Sequence, residues 1–167
     1  MDKLSPAPPW QVERWFNTDS PLDLAALRGQ VIVMEAFQML CPGCVSHGLP
    51  QAARVRASFP AGRVTVVGLH SVFEHHAAMT PVALQAFLHE YRIDFPVAVD
   101  QPGDGSPLPR TMQAYGMRGT PTLVLIDAQG RLREQYFGQV PDLVLGARIA
   151  TLLLEAERDI EPGSTAR

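Results

Sequence analysis

The stretch VIVMEAFQMLCPGC, residues 31–44, decides the fold of this chain. Its first half is rich in β-branched and apolar residues, which is typical of a strand buried on both faces of a parallel sheet. Its second half holds the chain's two cysteines, Cys41 and Cys44, with two residues between them. A disulfide across so short a gap closes too small a loop to add much stability. The pair therefore indicates redox chemistry.

Strand and helix patterns alternate on both sides of this stretch. They predict a strand over 10–16, a helix over 44–58, a strand over 63–70, a helix over 80–91, a strand over 96–100, a short helix over 110–117, two antiparallel strands within 122–138 joined by a turn at 128–130, and a last helix over 141–157. This order predicts an α/β fold with a central mixed sheet and helices on both faces. We expect the last helix to bury the face that carries Leu143, Ala147, Ala150 and Leu154.

The length of 167 residues predicts a single domain. We assign it to residues 1–157, with a flexible segment over 1–9 and a disordered tail over 158–167. A net charge of −3 without a Lys/Arg cluster argues against nucleic acid and anionic membranes as partners. Because no apolar run approaches the roughly 20 residues of a membrane span and the N-terminus lacks a signal-peptide core, we expect a cytoplasmic protein.

Three motifs in this order resemble the thioredoxin superfamily: C-x-x-C after a buried strand, the Thr120-Pro121 pair, and the hairpin TLVLIDAQGRL at 122–132. The segments 21–44 and 95–100 are similar to thiol-disulfide oxidoreductases related to TlpA and ResA and to the alkyl-hydroperoxide-reductase branch. This resemblance implies a thioredoxin-like fold. It also implies dithiol/disulfide exchange with protein or small-molecule disulfides, with an external redox donor and without a bound cofactor.

The two cysteines differ in their expected positions. If the helix begins at Pro42, Cys41 lies at its N-cap, where free amides and the helix dipole favour a thiolate. Cys41 is then the attacking sulfur, and the more buried Cys44 resolves the mixed disulfide. Leu40 stands where thioredoxins usually have Trp, and we expect Leu40 and Pro42 to contact substrate. The alternatives are an inert pair or half of a zinc site, but the chain has no second cysteine pair, so no metal is predicted.

Two further positions match residues with roles in thioredoxins. Glu35, a lone acid in an apolar strand, should be buried with a raised pKa, and it matches the acid that deprotonates the second cysteine. The alternative is that Glu35 binds a backbone amide or reaches solvent. Thr120-Pro121 matches the cis-proline loop that faces the cysteines, so Thr120 should pair with an extended peptide. An ordinary trans proline at the start of a strand is the alternative.

The histidines have a less specific interpretation. His70 ends a strand, His75 and His76 follow it together with Glu74, and His47 lies three residues after Cys44. These groups are candidates for tuning the cysteine pKa or for contacting substrate. A metal site and simple packing remain as alternatives.

Two rival functions belong to other classes. A peroxiredoxin-like peroxidase would oxidise Cys41 to a sulfenic acid, but the proline and threonine that such a pocket resembles are replaced here by Met34 and Gln38. The second rival is a metal-binding or partner-binding module on a thioredoxin scaffold. We therefore rank disulfide exchange first.

Overall fold

A computed structural model describes residues 5–160 of the chain. Its elements are β1 (Val12–Phe16), β2 (Val31–Phe37), a π-helical turn (Cys44–Gly48) that continues into α1 (Leu49–Ser58), β3 (Val64–His70), α2 (Pro81–Glu90), β4 (Val97–Asp100), α3 (Arg110–Ala114), β5 (Thr122–Ile126), β6 (Leu132–Phe137) and α4 (Asp142–Ile160). The six strands form one sheet in the order β1-β4-β3-β2-β5-β6.

The sheet is mixed, as the sequence predicts. Strands β2, β3 and β4 are parallel, whereas β1, β5 and β6 each run antiparallel to their neighbours. All seven residues of β2 are buried because this strand lies at the centre of the sheet. Parallel strands deliver their carboxyl ends to the same edge. The segment that follows β2, which carries both cysteines, therefore lies at that edge beside the ends of β3 and β4.

The two faces of the sheet are covered differently. Helices α1, α2 and α4 pack on one face, where alternate β2 residues including Val33 and Phe37 point. Helix α3 and the segments around Ala7 and Leu27 cover the other face, against residues such as Met34. The predicted α/β fold with helices on both faces is confirmed.

The predicted flexible start of the chain is wrong for residues 5–9. Pro6 forms a β-bridge with Arg131, the Ala7 amide donates to the Gly130 carbonyl at 2.9 Å, and the Tyr115 hydroxyl donates to the Pro8 carbonyl at 2.8 Å. These partners are distant in sequence, so the local proline-rich composition does not reveal them. Residues 1–4 lie outside the described part of the chain.

Helix α4 corrects two predictions. It extends to Ile160, so residues 158–160 are helical and do not belong to a disordered tail, while 161–167 lie outside the described residues. Its buried residues are Leu145, Ile149, Leu152 and Ala156, whereas the predicted face is exposed, with Leu143 at 88% and Leu154 at 55%. The helix is apolar on more than one side, and contacts at its start determine which side is buried. Arg54 pairs with Asp142 there, and the buried Val140 precedes it.

Candidate active site

Cys41 occupies the N-cap of the helix that follows β2. The amide of Cys44 donates to the Cys41 sulfur at 3.2 Å, and the amide of Val45 donates to the Cys41 carbonyl at 3.1 Å. An N-cap side chain normally accepts such a bond from the third helical residue. The Cys44 amide and the positive end of the helix dipole therefore both lie beside the Cys41 sulfur. Pro42 and Gly43 are helical, so Cys41 directly precedes the first helical residue.

The two thiols differ in exposure. Cys41 is half-buried, whereas Cys44 is 0% exposed, and both are free thiols in this structure. Burial raises the pKa of the Cys44 thiol, and its hydrogen bond with Cys41 raises it further. Cys41 is therefore the more accessible of the two residues, and the Cys44 thiol loses its proton less readily than an exposed thiol.

Thr120 and Pro121 face the cysteines from the start of β5. The Thr120–Pro121 peptide bond is cis, and the Cys41 thiol donates to the Thr120 carbonyl at 3.5 Å. Pro121 is buried against the helix start, since a Cβ at Gly43 would lie 3.3 Å from its Cδ. This arrangement places the Thr120 backbone beside the accessible sulfur.

Glu35 lies beneath the same helix. Its side chain is 1% exposed, and its Oε1 atom accepts no hydrogen bond from the described residues. Burial raises its pKa from the ordinary 4.5 to about 8, as the sequence predicts. No hydrogen bond joins Glu35 to either cysteine within residues 5–160. A carboxyl group with this pKa is mostly protonated at pH 7, and its minor ionised fraction is a stronger base than an ordinary carboxylate.

Gly48 makes room for this carboxyl group. A Cβ at position 48 would lie 2.2 Å from Oε1 of Glu35 and 3.2 Å from Cβ of Pro121. Gly48 ends the π-helical turn, in which the Leu49 amide donates to the Cys44 carbonyl. Such turns are rare and are frequent at functional sites. Sequence reasoning missed this role, although a glycine inside a helical pattern is a usable signal.

His70 lies behind the segment that leads to Cys41. It is buried, its Nε2 accepts the Met39 amide at 3.4 Å, and its ring lies 5.2 Å from that of Phe37. Burial lowers the pKa of His70 to about 4, so the imidazole is neutral near pH 7. Its contact is with the backbone of this segment and not with a cysteine.

His47, His75 and His76 form no hydrogen bond with either cysteine within residues 5–160. His75 and His76 are exposed. His47 is half-buried and lies towards Asp142 at the start of α4, with its Nε2 unpartnered among residues 5–160. Of the four predicted histidines, the structure therefore brings only His70 into contact with the segment before Cys41.

Gln38 is a residue whose role the sequence did not reveal. It is 1% exposed, its Oε1 accepts the Phe73 amide at 3.1 Å, and its Nε2 donates to Glu74 at 3.5 Å. The side chain therefore ties the segment before Cys41 to the loop after β3. Both hydrogen-bonding ends of Gln38 are engaged in this link.

Leu40 and Pro42 flank Cys41, and Arg118 and Phe137 lie beside the segment that carries Thr120. Leu40 is 57% exposed and Phe137 is 51% exposed, and Pro42 is also exposed. Arg118 lies over the Phe137 ring, with its Cζ 5.0 Å from the ring centroid.

Within residues 5–160, no three His, Cys, Asp or Glu side chains are arranged to hold a metal ion. In the same residues, none of the helices has the length and apolar character to cross a membrane.

A family model and solved structures resemble this chain over most of its length. The Redoxin family model matches residues 5–147. A thioredoxin-like superfamily protein of known structure is 65% identical, with a TM-score of 0.88 over 89% of this chain and 96% of that one. A thiol-disulfide isomerase from Corynebacterium glutamicum is 50% identical, with a TM-score of 0.84 over 88% of this chain and 96% of that one.

Curated relatives are more distant. The protein DipZ of Mycobacterium bovis is 26% identical over 90% of this chain and 21% of the length of DipZ. The thiol-disulfide oxidoreductase ResA of Bacillus anthracis is 25% identical over 71% of this chain and 61% of ResA. The chain thus spans less than two thirds of the length of these relatives.

Proposed function

The chain belongs to the Redoxin family, and on that premise we propose that it is a thiol-disulfide oxidoreductase acting through Cys41 and Cys44. One observation carries the proposal: an N-capping, half-exposed Cys41 lies beside a fully buried Cys44. An asymmetric pair of this kind supports attack by one sulfur and resolution by the other. The relatives named for thiol-disulfide chemistry support the same reaction.

The reaction begins with the thiolate of Cys41. It attacks one sulfur of a substrate disulfide, a new Cys41–substrate disulfide forms, and the other substrate sulfur leaves as a thiolate. Cys44 then attacks the Cys41 sulfur and releases the second substrate thiolate. The substrate disulfide gains two electrons, and Cys41 and Cys44 become a disulfide. An external dithiol returns the pair to the reduced state, and the exchange needs no bound cofactor.

The second step requires Cys44 to lose a proton despite its raised pKa. Glu35 is the buried carboxyl group beneath the same helix, and since its pKa is about 8, its ionised fraction near neutral pH can accept this proton. We assign Glu35 the role of proton acceptor. Its carboxyl group fits beneath the helix, next to Pro121, because Gly48 has no side chain. Protein disulfides with an extended segment are the favoured substrates, since the Thr120 backbone lies beside Cys41.

The test uses reduction of insulin disulfides by dithiothreitol. We expect the full chain to accelerate the reaction and Cys41→Ser to abolish the acceleration. Cys44→Ser should accumulate a mixed disulfide between Cys41 and substrate, visible by mass spectrometry. Ser46→Ala, an exposed position on the same helical turn, is the matched control and should retain activity. Unimpaired reduction by Cys41→Ser would refute the proposal.

A further inference from the structure

An exposed arginine and an exposed aromatic ring adjoin the Thr120 backbone. Arg118 is two residues before Thr120, and its guanidinium lies over the Phe137 ring. The Phe137 ring packs against Gly119, where an added Cβ would lie 2.9 Å from the ring edge. The backbone from Arg118 to Thr120 therefore runs from the ring to the sulfur of Cys41. We name residues 118–120, Phe137 and Cys41 the Arg118 strip.

The guanidinium has no acidic partner in the described chain. Within residues 5–160, Arg118 forms no ion pair and no side-chain hydrogen bond, whereas Arg133 and Arg148 are paired with acids. Its donors are therefore directed to solvent, and the ring beneath it limits its conformations. A cation held in this way is available to an incoming carboxylate.

The two-residue separation between Arg118 and Thr120 determines which substrate residue meets Arg118. A peptide that pairs with the Thr120 backbone is extended and rises about 3.3 Å per residue. Side chains two residues apart lie on the same side of such a segment. When the substrate cysteine meets Cys41, a residue two positions away comes within reach of Arg118.

We propose that Arg118 and Phe137 select disulfide substrates with an acidic side chain two residues from the attacked cysteine. This inference rests on the proposed function, since it concerns the same thiol exchange. Because the chain carries a net charge of −3, its overall charge does not attract an acidic substrate. A preference for acidic peptides must therefore come from a local cation, and Arg118 is the cation that the strip contains.

The experiment measures reduction of matched peptide disulfides by the reduced full chain in single turnover. The peptides carry Glu, Gln or Lys two positions before or after the cysteine and are otherwise identical. Each rate is divided by the rate of the same peptide with dithiothreitol, which removes the effect of the charge on the disulfide itself. At low salt we expect the Glu peptide of one series to react about two- to fivefold faster than its Lys counterpart, with the preference weakening as salt rises.

Charge reversal provides the decisive comparison. Arg118→Glu should invert the order of the Glu and Lys peptides, and Arg118→Gln should abolish the preference. Arg14→Glu is the control, because this exposed residue lies on β1 at the opposite edge of the sheet. An order unchanged by Arg118→Glu, or inverted equally by Arg14→Glu, would overturn the inference while leaving the exchange reaction intact. Failure of the unmodified chain to reduce any peptide would instead overturn the proposed function.

Discussion

Cys41 and Cys44 are chemically identical thiols in opposite environments. Cys41 accepts a backbone amide at a helix start, while Cys44 is enclosed by the core and its pKa is raised. Electrophiles react with thiolates and require access to the sulfur.

We therefore expect alkylation of the reduced chain at pH 7 to modify Cys41 at least about tenfold faster than Cys44. Iodoacetamide labelling followed by peptide mass spectrometry gives both rates in one experiment. Urea-unfolded chain is the control, and there the two rates should converge. Equal rates in the folded chain would contradict the assignment of Cys41 as the attacking sulfur.

Glu35 shows how burial creates a base and a stability cost together. Its folded pKa of about 8 exceeds the ordinary 4.5. Because the pKa is raised only in the folded state, ionisation of Glu35 costs no stability below about pH 4.5. The cost grows as pH rises through that value and levels off above about pH 8. The shift corresponds to about 5 kcal/mol at the plateau.

Glu35→Gln should remove this cost and the base together. We expect its free energy of unfolding to match that of the unmodified chain at pH 4 and to exceed it increasingly towards pH 9, measured by urea unfolding. Resolution of the mixed disulfide, followed by rapid quench, should slow by about 10²- to 10⁴-fold, while initial attack by Cys41 changes little. A loss of stability with unchanged resolution would show that Glu35 is only a structural acceptor.

At the scale of elements, the π-helical turn is shaped around the glutamate. A methyl group at position 48 would overlap the Glu35 carboxyl at 2.2 Å. Gly48→Ala should therefore lower the free energy of unfolding by about 1–3 kcal/mol and slow resolution. In Glu35→Ala only the contact with Cβ of Pro121 at 3.2 Å remains, so adding Gly48→Ala there should cost less. Gly146→Ala in α4, with open space at its Cβ, should stabilise the chain by up to about 1 kcal/mol. Equal effects of Gly48→Ala in both backgrounds would contradict this account.

Asp100 links the end of β4 to the start of α3. Its carboxylate accepts the amides of Thr111 and Met112 at 2.8 and 3.0 Å and the Ser71 hydroxyl at 2.9 Å. Asp100→Ala leaves these buried donors without partners, so we expect a loss of about 2–4 kcal/mol in thermal or urea unfolding. Asp104→Ala removes only an exposed pair with Arg110 and should cost less than about 1 kcal/mol. Comparable losses from both substitutions would show that Asp100 does not hold α3.

The elements were predicted where local pattern and burial agree. β2 is apolar because it is central, and Thr80 accepts the Ala83 amide at the start of α2, close to where the sequence predicts that the helix begins. The buried face of α4 was missed, because two of its faces are apolar and the choice depends on contacts with a distant helix. The same division applies to the candidate active site, where Cys41, Cys44 and Glu35 can be recognised from the sequence. The space at Gly48 depends on two elements meeting, and no local pattern encodes it.

At the scale of the whole molecule, the parallel strands β2, β3 and β4 place the segments that follow them at one edge of the sheet. The sequence predicts this gathering because β2 and β3 end in chemically active residues and parallel strand ends coincide. It does not predict which side chains are already engaged. Gln38 joins the loops that follow β2 and β3, and His70 supports the backbone before Cys41. The side chains of Gln38 and His70 therefore stabilise the backbone at this edge of the sheet.

The same arrangement determines how the molecule responds to peroxide. A peroxidase needs donors that stabilise the peroxide oxygens beside the reactive thiolate. Gln38 already bonds Phe73 and Glu74, and Met34 is buried on the sheet face opposite Glu35. We expect sulfenic acid formation at Cys41 to be no faster than that of a free cysteine thiolate, measured by stopped flow in Cys44→Ser. Dithiothreitol-dependent peroxide consumption should likewise be slow, while insulin reduction by the unmodified chain remains rapid. Fast peroxide turnover that disappears in Cys41→Ser would place the peroxidase reaction first.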